Sequence, residues 1–140
     1  MSAGGVCLIG NFCVDLILRG VPRLPEWGQE VAGDDHLLVE AELIMGIAHF
    51  FIADFATAVQ HFTECERRYD RDRHRDHAFR FGQDPQVIAC SYLSWICWLR
   101  GEPDEARRFS RAAVEHARRL EHPLTLSFAL SFAAWLRVYQ

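Results

Sequence analysis

The chain has 140 residues, half of them apolar and 24% charged, with a formal net charge of −4. That is enough for one core but short for a two-lobed enzyme, and the acidic balance speaks against nucleic-acid binding. All fifteen basic residues are arginines. They alternate with acids, so no dedicated phosphate-binding surface is expected.

Five cysteines, Cys7, Cys13, Cys65, Cys90 and Cys97, contain no C-x-x-C pair. Such spacing suits neither a disulfide framework nor a zinc knuckle, and points to reduced, mostly buried thiols in a cytoplasmic protein. No basic region precedes a long apolar run at the start, so no signal peptide is expected. The least charged stretch, Pro123 to Leu136, is shorter than the roughly 20 residues that a membrane span requires.

Residues 1–39 differ in texture from the rest. Val6-Cys7-Leu8-Ile9 ends at Gly10-Asn11 and reads as a strand entering a turn, with Val14 to Leu18 as a second strand. Gly20, Pro22, Pro25 and Gly28 then punctuate a loop that no helix crosses. The pattern strand, Gly-Asn, Val-Asp, Leu-Pro-x-x-Gly-x-Glu in VCLIGNFCVDLILRGVPRLPEWGQEV resembles the N-terminus of the PfkB/ribokinase family of sugar kinases. The resemblance implies that Asp15 binds sugar hydroxyls, and gives the alternative reading of the protein as a kinase remnant with residual sugar binding. The family's Gly-Gly-x-x-x-Asn run and its Gly-Ala-Gly-Asp element are missing. Without a phosphate cradle and a base, phosphoryl transfer is not expected.

From about Glu40 the period becomes helical. Leu43, Ile47, Phe50 and Phe51 mark one helix, and Asp54 starts another with Phe55, Ala58, Val59, Phe62, Cys65 and Tyr69 on one face. Arg and acid then alternate from Glu64 to Arg80, which reads as a solvated connector or a helix end. His74 and His77, with Asp72 and Asp76 beside them, invite a metal reading, but a fourth ligand and any Cys pair are missing. No metal or cofactor is expected.

Asp84-Pro85 and His122-Pro123 are helix starts: a cap followed by Pro at the first helical position. Between them, Gly101 closes one helix and Pro103 opens the next. Ile88, Tyr92, Trp95 and Leu99 mark one face of the first, and Ala89, Leu93 and Ile96 another, so it is expected to lie between neighbours. The second carries a single stripe, Ala106, Phe109, Ala113, Ala117 and Leu120, with arginines opposite, and is expected on the outside. The last helix, from Pro123, shows no covering partner for Leu126, Phe128, Leu130, Phe132 and Trp135. Self-association through it, or a place inside a longer repeat array, is expected.

Met45-Gly46, Ala53-Asp54-Phe55, Ala58 and Phe62, followed by Leu93, Arg100-Gly101-Glu102-Pro103, Ala106 and Ala113, resemble the tetratricopeptide repeat family. Its unit is about 34 residues, and an insertion separates Ala58 from Ala106. Tyr69-Asp70, His74-Arg75 and Gly82-Gln83-Asp84-Pro85 resemble the repeats of bacterial signalling proteins that also carry cyclase-like or ATPase domains. The expected fold is therefore mainly α: antiparallel helix hairpins over 40–140, stacked as a fragment of an α-solenoid, after a short β segment over 1–39. The resemblance implies a non-catalytic scaffold for a protein or peptide partner, without nucleic acid or membrane. Its groove would use Glu40, Leu43, Ile47, Phe50, Ile88, Ser91, Trp95 and Trp98. The two tryptophans read either as anchors for a partner or as core.

Overall fold

The computed structural model describes residues 35–139 together with the strands β1 (Val6–Cys7) and β2 (Leu16–Ile17). The chain divides into two compact units, Met1–Gly33 and Asp34–Gln140. In the first, β1 pairs antiparallel with β2, Val6 opposite Ile17 and Cys7 opposite Leu16. Asp15, Cys13 and the Gly20 to Gly28 loop lie outside the described residues.

The second unit is helical. Its elements are α1 (Asp35–Phe51), α2 (Phe55–Arg68), α3 (His77–Phe81), α4 (Pro85–Leu99), α5 (Pro103–Leu120) and α6 (Pro123–Val138). The helical period thus begins at Asp35, ahead of the texture change at Glu40. The Asp54 carboxylate accepts the Thr57 N–H at 3.2 Å and caps α2. The corner before it is tight enough to hold Ala53 at φ 62°, a left-handed conformation that costs a non-glycine residue about 1–2 kcal/mol. Opposed pairs run antiparallel down the α1–α2 hairpin, His49 to Asp54 at 3.2 Å and His61 to Glu42 at 2.7 Å. The helices close on each other where Gly46 faces Phe62: a β-carbon at Gly46 would lie 2.6 Å from that ring.

The start signals read from the sequence act as capping groups. Asp84 accepts the Val87 N–H at 3.0 Å with Pro85 at the head of α4, and the His122 ring accepts the Thr125 N–H at 3.3 Å before Pro123. Gly101 takes φ 77°, where a side chain is disfavoured. α4 packs against α1, α2, α5 and α6, and all its residues from Val87 to Ser94 are buried, with Ile96 and Cys97. α5 buries only Ala106, Ala113, His116 and Ala117 and turns its arginines outward. Ala58 and Ala106 are fully buried, as small residues at close helix crossings must be.

The connector departs from expectation. His74 and His77 are 1% and 0% exposed, so this stretch is not simply a solvated link. Asp70 folds it back by accepting the Asp72 and Arg73 N–H groups at 2.9 and 3.0 Å. α3 then turns His77 inward before Gly82, at φ 82°, ends the helix. Alternating charge describes the connector's outer side only: Asp72, Arg73, Arg75 and Asp76 are exposed.

Candidate protein-binding surface

The eight residues expected to line a groove fall into different surroundings. Leu43 and Ile88 are 3% and 1% exposed and belong to the main core cluster, on which the half-buried Ile47 and Phe50 pack. The Ser91 hydroxyl is buried and donates to the Val87 carbonyl at 2.8 Å. Glu40 is 8% exposed and its carboxylate takes a hydrogen bond from His77 Nε2 at 3.0 Å. Trp98 lies with Cys97, Ala106 and Leu136 in a separate small cluster. Trp95 faces α6. Leu43, Ile88 and Ser91 therefore lie in the interior rather than on an open surface.

What the fold brings together instead is a ladder of aromatic rings across α1, α4 and α6. Phe50 meets Tyr92 at 5.0 Å between ring centres, and Tyr92 meets Phe132 at 5.1 Å, both edge-on. Trp95 continues the line to Phe132, Trp135 and Tyr139 at 6.0, 5.9 and 6.0 Å. Edge-to-face contact is the arrangement the ring quadrupole favours. At the α6 end the ladder reaches solvent: Trp135 is 53% and Tyr139 62% exposed. Phe128 and Phe132, expected to be uncovered, are half-buried because their rings turn onto Tyr92. The spacing of Phe128, Phe132, Trp135 and Tyr139, at steps of four, three and four, is the signal that marks this stripe.

Beneath the connector lies a buried polar network. Asp84 is 1% exposed; besides capping α4 it accepts the Tyr69 hydroxyl at 2.6 Å and lies 3.4 Å from His116 Nε2. Burial drives its carboxyl pKa upward, but the contacts with His116, Tyr69 and the Val87 N–H together outweigh that and hold it below the usual carboxylate range. The Tyr69 phenol is pushed up, by burial first and then by the Asp84 charge. A second arm runs from Glu40 through His77 to His36, whose Nδ1 lies 3.1 Å from His77 Nδ1. His74 stacks on Tyr69 at 5.3 Å and meets His36 edge-on at 4.7 Å, joining the two arms.

The network ties the ends of α1, α2, α4 and α5 to the connector. His116 escapes sequence reasoning because it sits on the apolar stripe of α5, where an imidazole carries no distinctive mark; Asp84, on the other side, is legible only as a cap. No group of three His, Cys, Asp or Glu among the described residues is arranged to hold a metal ion. Burial raises the thiol pKa of Cys65 and Cys90, and nearby carboxylates raise it further. They stay protonated, and a thiol is a poor nucleophile in that form.

No protein-family model, curated protein or solved structure matches this chain. Among the described residues no helix is long and apolar enough to cross a membrane.

Proposed function

We propose that the helical region is a tetratricopeptide-like α-solenoid fragment serving as a non-catalytic scaffold for a protein or peptide partner, of the kind found in bacterial signalling proteins. The partner lies along the side formed by α1, α4 and α6. The observation that carries this reading is the aromatic ladder, continuous across three helices and exposed at Trp135 and Tyr139. The ladder is rooted in the core at Tyr92 and reaches solvent at Trp135 and Tyr139, and exposed aromatic anchors held rigid in this way dominate interface energetics. Two further features support a repeat: the α1–α2 and α4–α5 hairpins each bury a small residue at the crossing, Ala58 and Ala106, and α6 opens as α4 does, with a cap and a proline. Among the described residues Cys65, Cys90 and Cys97 are free and buried, which suits a reducing cytoplasm.

The test is selection of peptides from a displayed random library on the full chain, followed by affinity measurement on a Trp135→Ser/Tyr139→Ser variant that keeps its helical circular dichroism. The reading predicts enriched peptides that lose at least tenfold in affinity. Sedimentation that shows a dimer broken by the same pair of substitutions identifies the partner as a second copy of the chain. A monomer that enriches no peptide, or a selection in which no enriched class of peptide responds to the two substitutions, contradicts the reading.

A further inference from the structure

α5 and α6 leave between them an open groove of about 740 Å³, on the side of α6 away from the aromatic ladder. Its floor is apolar, with Val114 from α5 and Leu130, Ala133 and Leu136 from α6. Its walls are basic: Arg107, Arg111 and Arg118 project from α5 and Arg137 from α6, against a single acid, Glu115. Arg107 is engaged by Asp104 at 2.7 Å, and Glu115 faces Arg119 at 3.9 Å. Arg111, Arg118 and Arg137 have no ion-pair partner among the described residues. In a chain of net charge −4, three uncommitted cations around one apolar trough are a local inversion of sign.

Resting on the scaffold reading above, we infer that this groove binds an acidic amphipathic helix of a partner protein. The shape favours a helix. Arg107 to Arg118 spans about 16 Å at 1.5 Å per residue, or roughly three turns. Ala133 and Ala134 are small enough to let a third helix axis approach to about 8–10 Å. Charge selects the composition: carboxylates flanking the apolar stripe of the incoming helix would pair with Arg111, Arg118 and Arg137, where guanidinium and carboxylate meet in two-pronged contacts. The same charges oppose docking of a second copy through α6, whose sequence from Pro123 to Val138 contains no acid and carries Arg137 in its last turn. Nucleic acid is disfavoured because the basic residues lie in a local patch of an acidic chain, with no ring stacked beside them in the groove.

The experiment is selection of a displayed library of helix-constrained peptides on the full chain, read against two variants. One is Arg111→Glu/Arg118→Glu/Arg137→Glu; the other, Ala134→Trp, fills the groove without changing charge. Far-UV circular dichroism establishes that both stay helical, as exposed positions should. The inference predicts an enriched class rich in Asp and Glu, with apolar residues at three- and four-residue spacing. These peptides should lose at least tenfold in affinity on either variant, weaken as salt is raised from 50 to about 300 mM, and keep their affinity for the Trp135→Ser/Tyr139→Ser protein. Enriched peptides without acidic bias, or acidic ones that ignore both variants, overturn it. So do displacement of the peptide by duplex DNA at lower concentration, or a dimer that dissociates when the arginines are reversed. If peptides bind the aromatic side while the groove selects none, this inference alone fails; if neither surface selects a peptide, the scaffold reading fails with it.

Discussion

α4 and α6 start from almost the same instruction and end in different surroundings. Each opens with a side-chain cap and a proline, each carries aromatic and aliphatic residues on most of its circumference, and neither has an acidic residue in its first turn. Yet α4 is buried at nearly every position, whereas α6 buries Thr125, Ala129 and Leu136 and leaves Leu124, Leu130 and Trp135 exposed. The difference comes from neighbours. α4 is surrounded by α1, α2, α5 and α6, while α6 leans on α4 and α5. Composition determines that such a helix seeks cover; the number of packed partners determines how much it obtains. The sides that α6 leaves open are where the aromatic ladder ends and where the arginine groove begins.

The largest effects should come from α4. Ile96 is fully buried, and Ile96→Ala should cost about 3–4 kcal/mol in urea unfolding, from lost burial and the cavity left behind. The two caps sharpen the contrast. Asp84→Ala removes a cap and also strands the Tyr69 hydroxyl and His116, so it should cost about 3 kcal/mol. His122→Ala removes a longer capping contact and should cost about 0.5 kcal/mol. Equal losses at the two caps would show that the buried network adds nothing.

Asp84 also predicts a pH dependence. Its carboxyl is held below the ordinary aspartate value of 3.8, so the stabilisation is complete above that pH and disappears as the pH falls through the lower, folded-state value. Asp84→Asn should therefore be less stable than the native chain at neutral pH, with the gap narrowing below pH 3.8. Thermal unfolding across pH 2 to 7 reads this directly; a gap that does not depend on pH would contradict it.

A smaller effect is expected at Gly46. Alanine is the better helix former by about 1 kcal/mol, but its β-carbon would lie 2.6 Å from the fully buried Phe62 ring. Overpacking costs about 1–3 kcal/mol, so Gly46→Ala should destabilise by about 1 kcal/mol, and Phe62→Leu in the same chain should relieve part of that loss. A small effect is also expected within α6: Leu130 is 44% exposed, and Leu130→Ala should cost less than about 1 kcal/mol. A loss matching that of Ile96→Ala would erase the distinction between the two helices.

The order α1, α2, α4, α5 and α6 is legible in the sequence because its signals are local, whereas the short α3 inside the connector is not. Asp54, Asp84-Pro85, Gly101, Pro103 and His122-Pro123 act on the backbone within a few residues of themselves. The sandwiching of α4 followed from two apolar faces on one helix. Less could be read where contacts are distant in sequence. The connector's balanced charges concealed two buried histidines, since His77 answers to Glu40 and His74 to Tyr69. The break after α5 is marked by His122-Pro123, but the left-handed Glu121, at φ 53°, is not, because no glycine stands at the bend. The groove residues suffered from the same limit. Leu43, Ile88 and Ser91 share helical faces with Phe50 and Trp95, and periodicity alone does not distinguish the packed end of a face from its open end.

Native-state hydrogen exchange on the full chain, resolved by helix, tests the contrast between α4 and α6 most directly. The amides of α4 should exchange only through global unfolding, while those of α6 open at a distinctly lower free energy. Equal protection along the two helices would contradict the account, since it would mean that the sides of α6 described as open are covered.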